Sequence, residues 1–197
     1  PVFFIAVGVY LIQPFELQSP RQIVTFGNMI PDPCTTVAFT GHRTYCGEAS
    51  AALAAAIRGL HAHGFRTFLC GMAVGFDLAA AEAVLELRER APGVRLVAAV
   101  PFRGQEMRFS PADRERFRRV LAEADSVEVL APAYHRGCYA VRNDFLVYNA
   151  RVLVAWYDGS PGGTRYTVRR ALGRGLEVVN LCPAAPVPPA PEPTLFG

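Results

Sequence analysis

Residues 157–168 read YDGSPGGTRYTV, in which Gly159, Ser160, Gly162, Gly163 and Thr164 lie between an apolar run and a helical pattern. Small residues leave backbone N–H groups unobstructed, and such groups at a helix start can hold a phosphate or another anion. A plain tight turn followed by a helix cap is the other reading. Four further loops carry unusual residues: TGHR (40–43), GMAVGFD (71–77), PFRGQ (101–105) and a segment holding YHRG and RN (134–143). Gly41 permits a tight turn and close ligand approach, Arg43 can fork onto a phosphate, and His42 can face a ligand or make a structural hydrogen bond. Gly71 and Gly75 mark a second turn into a helix, where Asp77 either caps the helix or accepts ribose hydroxyls. Arg103 and Gln105 suit hydrogen bonds to a base or ribose, and Arg142 and Asn143 at a helix start face the same cleft.

Composition narrows the chemistry. All 20 basic residues are Arg, so a phosphate-binding lysine and Schiff-base chemistry are both excluded. The net charge of +3 is well below what an obligate nucleic-acid binder carries. Cys34, Cys46, Cys70, Cys138 and Cys182 show no CxxC spacing. They give neither a zinc site nor a disulfide framework, and read as reduced thiols of a cytoplasmic protein.

The elements that must hold these loops alternate regularly. Short β-rich runs at 35–40, 66–70, 94–100, 126–130, 151–156 and 176–181 are separated by helical patterns. The third helix has the clearest start, with Ser110 as N-cap and Pro111 in the first turn. Its arginines, Arg114, Arg116, Arg118 and Arg119, interleave with acids and predict a solvated face rather than a DNA-contacting stripe. A helix is predicted over Val141 to Asn149, and the last one is marked by Val168, Ala171, Leu172 and Gly175. Strands alternating with helices predict an α/β, three-layer Rossmann-like fold with a mostly parallel sheet and helices on both faces. Each unusual loop follows a strand, so all five converge on the edge where such folds bind ligands.

FTGHR, GMAVGFDLAAAE, VPFRGQ, RN and YDGSPGGTRYTV, in this order, resemble the SLOG superfamily, most closely its YpsA-like branch, over Thr35 to Pro183. The resemblance implies a nucleotide-binding domain that takes ADP-ribose, NAD or a similar ligand such as AMP, as a sensor or regulatory module. The LOG phosphoribohydrolases are similar in the Arg matched by Arg142 and in the glycines of SPGGT. Their catalytic Glu has no counterpart, because Arg165, Tyr166, Thr167 and Val168 follow Thr164. Hydrolysis of the N-glycosidic bond then requires Asp77, Glu82 or Asp158 as substitute. DprA, which binds single-stranded DNA, is similar in the RN and GMAVGFD segments, but no aromatic-plus-basic stacking platform is legible here. Tyr148 and Arg151 stand where the branch usually carries acidic residues.

The expected site comprises Gly41, His42, Arg43, Gly71, Gly75, Asp77, Arg142, Asn143, Ser160, Gly162, Gly163 and Thr164, with a small phosphorylated nucleoside as partner and no metal. Nucleic acid is the lesser expectation as partner, and a homo-oligomer is compatible with the sequence. Residues 29–183 are read as the nucleotide-binding domain. Residues 1–28 are read as an extension, either a gene-start artefact before Met29 or an extra strand. PVFFIAVGVYLI within it is too short to span a membrane and lacks a basic flank. Residues 184–197 are read as an extended Pro-rich tail.

Overall fold

The computed structural model describes residues 32–183. The readings of 1–28, of Met29 and of 184–197 lie outside the described residues. Six parallel strands form one sheet: β1 (Thr36–Gly41), β2 (Thr67–Cys70), β3 (Arg95–Val100), β4 (Ser126–Val129), β5 (Val152–Trp156) and β6 (Glu177–Asn180). Five helices connect them: α1 (Ser50–Ala62), α2 (Phe76–Arg88), α3 (Pro111–Glu123), α4 (Cys138–Tyr148) and α5 (Gly163–Gly173). This is the Rossmann-like α/β fold that the alternating pattern predicts.

The strand order is β4-β3-β2-β1-β5-β6. The chain steps outward from β1 to β4, returns through α4 to lay β5 beside β1, and steps outward again. Right-handed crossovers in opposite directions put their helices on opposite faces. One face accordingly packs Val37, Phe39, Phe68 and Val154 against Leu53, Ile57, Phe76, Val84, Phe117 and Val120 of α1, α2 and α3. On the other, Ala38, Leu69, Leu153 and Ala155 meet Leu146 and Val147 of α4 and Val168 and Ala171 of α5. Val37, Ala38 and Phe39 thus alternate between two cores, as the period of two in a strand requires. Each buried Leu, Ile or Phe stabilises by about 1.5–3 kcal/mol, enough to fix the register of β1 on β5, where Gly41 lies opposite Trp156.

Helix starts sort into two kinds. At α3 the Ser110 hydroxyl accepts the Asp113 N–H at 3.1 Å, as its sequence predicts. By contrast α2, α4 and α5 begin at Gly75, Gly137 and Gly162, with no side-chain cap. The start of α4 falls at Cys138, three residues before the predicted Val141, because Gly137 turns the chain in the left-handed region at φ +96°. No helix among the described residues is long and apolar enough to cross a membrane.

Candidate nucleotide-binding crevice

Strand order reverses between β1 and β5, so a crevice opens beyond their carboxyl ends. Its two walls are the loop after Gly41 and the loop 157–162. Asn180 of β6 fixes the second wall by accepting the Tyr157 N–H at 3.1 Å and donating to the Tyr157 carbonyl at 2.9 Å. Across the crevice His42 Nε2 stands 2.8 Å from Asp158 Oδ1, and the Asp158 amide lies 3.3 Å from the same nitrogen. One nitrogen cannot both donate and accept. The shorter, charge-assisted contact assigns the Nε2 proton to the carboxylate. Hydrogen bonds from Ser160, and then the His42 ring, hold the Asp158 carboxyl below the usual carboxylate range.

The expected site residues divide into an open rim and a packed floor. Arg43, Ser160, Gly162 and Gly163 are exposed, and His42 is half-buried. Gly71, Gly75, Asp77, Arg142, Asn143 and Thr164 are buried, and Gly41 is half-buried against Phe76.

In the floor two of the expected residues have partners within the protein. Arg142, 7% exposed, donates from Nη1 to the Gly71 carbonyl and to Asp77 Oδ2 at 3.4 Å, and from Nε to Asn143 Oδ1 at 2.8 Å. Asn143 Nδ2 then donates to the Gly163 carbonyl at 3.4 Å. Arg142 is therefore a fixed cation beneath the crevice rather than a free phosphate fork. Asp77, 3% exposed, accepts from Arg142 and from the Ala73 N–H at 3.3 Å, so its carboxylate is engaged within the fold. Burial pushes its carboxyl up to about 6, against the pull of Arg142 and of the Ala73 and Gly41 amides. The same burial, reinforced by Asp77, raises the Cys70 thiol.

Packing explains two of the glycines. A Cβ on Gly71 would collide with Arg142 Nη1 and lie 2.8 Å from Asp77 Oδ2. At Gly75, with φ +81°, it would sit 2.6 Å from the His42 and Arg43 carbonyls, which are backbone and cannot yield.

Gln105 also has a different task from the base or ribose contact its sequence suggests. It is 3% exposed and donates from Nε2 to the Met72 carbonyl at 2.7 Å. Met72 is the non-glycine residue with a positive φ, +59°, among those described. Glu82, one substitute for the missing glutamate, accepts Arg116 through both carboxylate oxygens (2.7 and 3.0 Å) and Arg119 at 2.8 Å. Of the three carboxylates considered, Asp158 is the most open, with its side chain 47% exposed against 24% for Glu82 and 4% for Asp77.

One feature was missed by sequence reading altogether. Phe102, Tyr134 and Tyr139 meet beside the crevice with Arg43 and Arg108 over the two tyrosine rings. The aromatic-plus-basic platform that the sequence does not reveal is thus present. Among the described residues no group of His, Cys, Asp and Glu could hold a metal ion. The five cysteines are free thiols, of which Cys34 and Cys46 are exposed.

Comparison with known proteins agrees with this architecture. The model of the YspA SLOG family matches residues 38–175. A UPF0398 protein of Shouchella clausii is 38% identical over 94 residues, 46% of this chain and 50% of its own length. A second, from Halalkalibacterium halodurans, is 31% identical over 114 residues, 56% of this chain and 60% of its own. This chain therefore spans half to three-fifths of the length of these curated relatives. DNA processing protein A of Streptococcus pneumoniae aligns with 75% of this chain and 49% of its own at TM-score 0.55 and 20% identity. The Helicobacter pylori protein, described for its single-stranded DNA binding mode, aligns with 75% and 64% at TM-score 0.57 and 16% identity. At such identities the likeness is one of fold.

Proposed function

The chain belongs to the YspA SLOG family, and from that premise we propose that its crevice binds a phosphorylated nucleoside of the ADP-ribose or NAD kind and acts as a sensor or regulatory module. The observation that carries this reading is the start of α5. Gly162 and Gly163 are exposed and uncapped where strand order reverses, in the loop whose Asp158 pairs with His42 across the crevice. The N–H groups of a helix's first turn have no intrahelical acceptor, and with the helix dipole they favour an anion. Arg142 adds a fixed positive charge below, and the exposed Arg43 a second at the rim.

A second reading, nucleotide N-glycosidase, is favoured by the His42–Asp158 pair. Asp158 is ionised, accessible and adjacent to the glycine loop, as a carboxylate must be to stabilise a sugar cation or accept a proton from attacking water. The likeness to DNA processing protein A adds single-stranded DNA as a third ligand to test.

Calorimetric titration of the full chain with ADP-ribose, NAD, AMP and a short single-stranded oligonucleotide, with product analysis of each mixture, separates the three. Saturable binding of an intact nucleotide is the expected result. Release of free base, abolished in Asp158→Asn, would establish the glycosidase. Binding of the oligonucleotide alone, falling steeply with salt, would replace both readings.

A further inference from the structure

The loops after β3 and β4, with the first turn of α4, build a small apolar cluster apart from the two cores of the sheet. Phe102, Ala131 and Cys138 are buried together, with Tyr139 packed on them. Phe102 meets Tyr134 at a centroid distance of 5.4 Å and 76°, and Tyr139 at 5.7 Å and 77°, both edge to face. Tyr134 and Tyr139 are 6.5 Å apart. Phe102, 5% exposed, is the floor of this group, and Tyr134, 54% exposed, stands on it in solvent. An aromatic ring held by a buried neighbour and left this open contributes little to the core.

Two guanidinium groups flank the rings. Arg108 lies 5.3 Å over Tyr134 and Arg43 6.0 Å over Tyr139. Arg174 lies closer over Tyr148, at 4.0 Å, so the two contacts at the platform are the looser cation–π pairs. Ring faces beside planar cations are the surface on which nucleobases stack, because every base presents a π-face to both. Arg43 adjoins His42, which reaches Asp158, so the platform continues the crevice along the edge of the sheet.

Scale selects the ligand. From β5 to β3 the sheet crosses three strand spacings, roughly 14 Å. A ligand with phosphate at the start of α5 and its base over Tyr134 needs a diphosphate between its sugars; a mononucleotide reaches one end only.

We propose that Phe102, Tyr134 and Tyr139, with Arg43 and Arg108, form the base-stacking end of a nucleoside-diphosphate site whose phosphates lie at Gly162 and Gly163. The phosphate end rests on the function proposed above; the stacking end stands on its own geometry. The test is titration of the full chain and of Tyr134→Ala and Tyr134→Phe with three probes: ADP-ribose, ribose 5-phosphate, which has no base, and adenosine, which has no phosphate. Tyr134 is exposed, so its variants keep the fold. Tyr134→Ala is expected to weaken ADP-ribose about 5- to 100-fold and adenosine alike, with ribose 5-phosphate unchanged and Tyr134→Phe near native. ADP-ribose binding equal in Tyr134→Ala and native chains overturns the platform and leaves the phosphate site standing. Adenosine binding sensitive to Tyr134, with no binding of ribose 5-phosphate, keeps the platform and removes the phosphate site. Failure of all three probes overturns both.

Discussion

Arg142 Nη1 lies 3.4 Å from Asp77 Oδ2 although 65 positions separate the two residues, and both side chains are shut away from water. The pair joins the start of α2 to α4 beneath the crevice, and through Asn143 and the Gly163 carbonyl it reaches the start of α5. Three of the elements that shape the site are tied at one point.

Removing one member of a buried pair leaves an uncompensated charge, which costs about 3–5 kcal/mol. Arg142→Met is expected to lose that much in urea unfolding, because Asp77 and the Gly71 carbonyl lose their donor together. Adding Asp77→Asn should restore part of it. A double variant no more stable than Arg142→Met would show that the two residues are not coupled.

The raised carboxyl of Asp77 makes stability depend on pH. Its folded value of about 6 lies above the unfolded ~3.9, so the folded chain holds the proton more tightly. This contribution is full below the unfolded value and is lost as pH rises through about 6. Against Asp77→Asn, which cannot titrate, the native chain should lose roughly 1 kcal/mol between pH 5 and pH 7. A native chain that gains stability relative to Asp77→Asn between pH 5 and pH 7 would have the wrong sign. The same proton leaves Arg142 unopposed, so ADP-ribose should bind more tightly at pH 5 than at pH 7 in the native chain and equally in Asp77→Asn.

Glycines of the floor and of the rim should respond differently. Gly75→Ala forces a side chain into the left-handed region and against two carbonyls, and should destabilise the fold by several kcal/mol. A Cβ at Gly163 meets Asn143 Nδ2 at an ordinary 3.7 Å. Gly163→Ala should therefore keep or slightly raise the melting temperature, while its methyl group at the rim weakens nucleotide binding. Unchanged affinity in a stable Gly163→Ala chain would take this loop out of the site.

The sheet was legible because strands buried on both faces read as apolar runs, Val94 to Val100 being the plainest. The convergence of five loops on one edge followed from the alternation alone. One helix start was not legible: α4 begins at Gly137, which carries no polar capping signal, so hydrophobic spacing registered that helix only from Val141. Nor did local sequence reveal that Arg142 is spent on Asp77, or that Phe102 and Tyr134 meet, since each contact joins residues on elements far apart in the chain. Residue type marked Asp77, Arg142 and Gln105 as polar groups near the edge. Only packing divides them from the rim residues that remain open.

Gln105 tests that division directly. Its side chain holds the carbonyl of Met72, whose left-handed backbone costs about 1–3 kcal/mol and persists only where its surroundings impose it. Through this bond the loop that carries Phe102 and Arg108 is fastened to the turn between β2 and α2. Gln105→Ala strands a buried carbonyl and should cost about 1–3 kcal/mol, with faster amide exchange over residues 73–76. If Gln105 instead contacts ligand, the same variant would keep its stability and lose nucleotide affinity. Measuring both on one variant decides between the two, because the packed geometry predicts a loss in the first and, once the chain is folded and saturated, little change in the second.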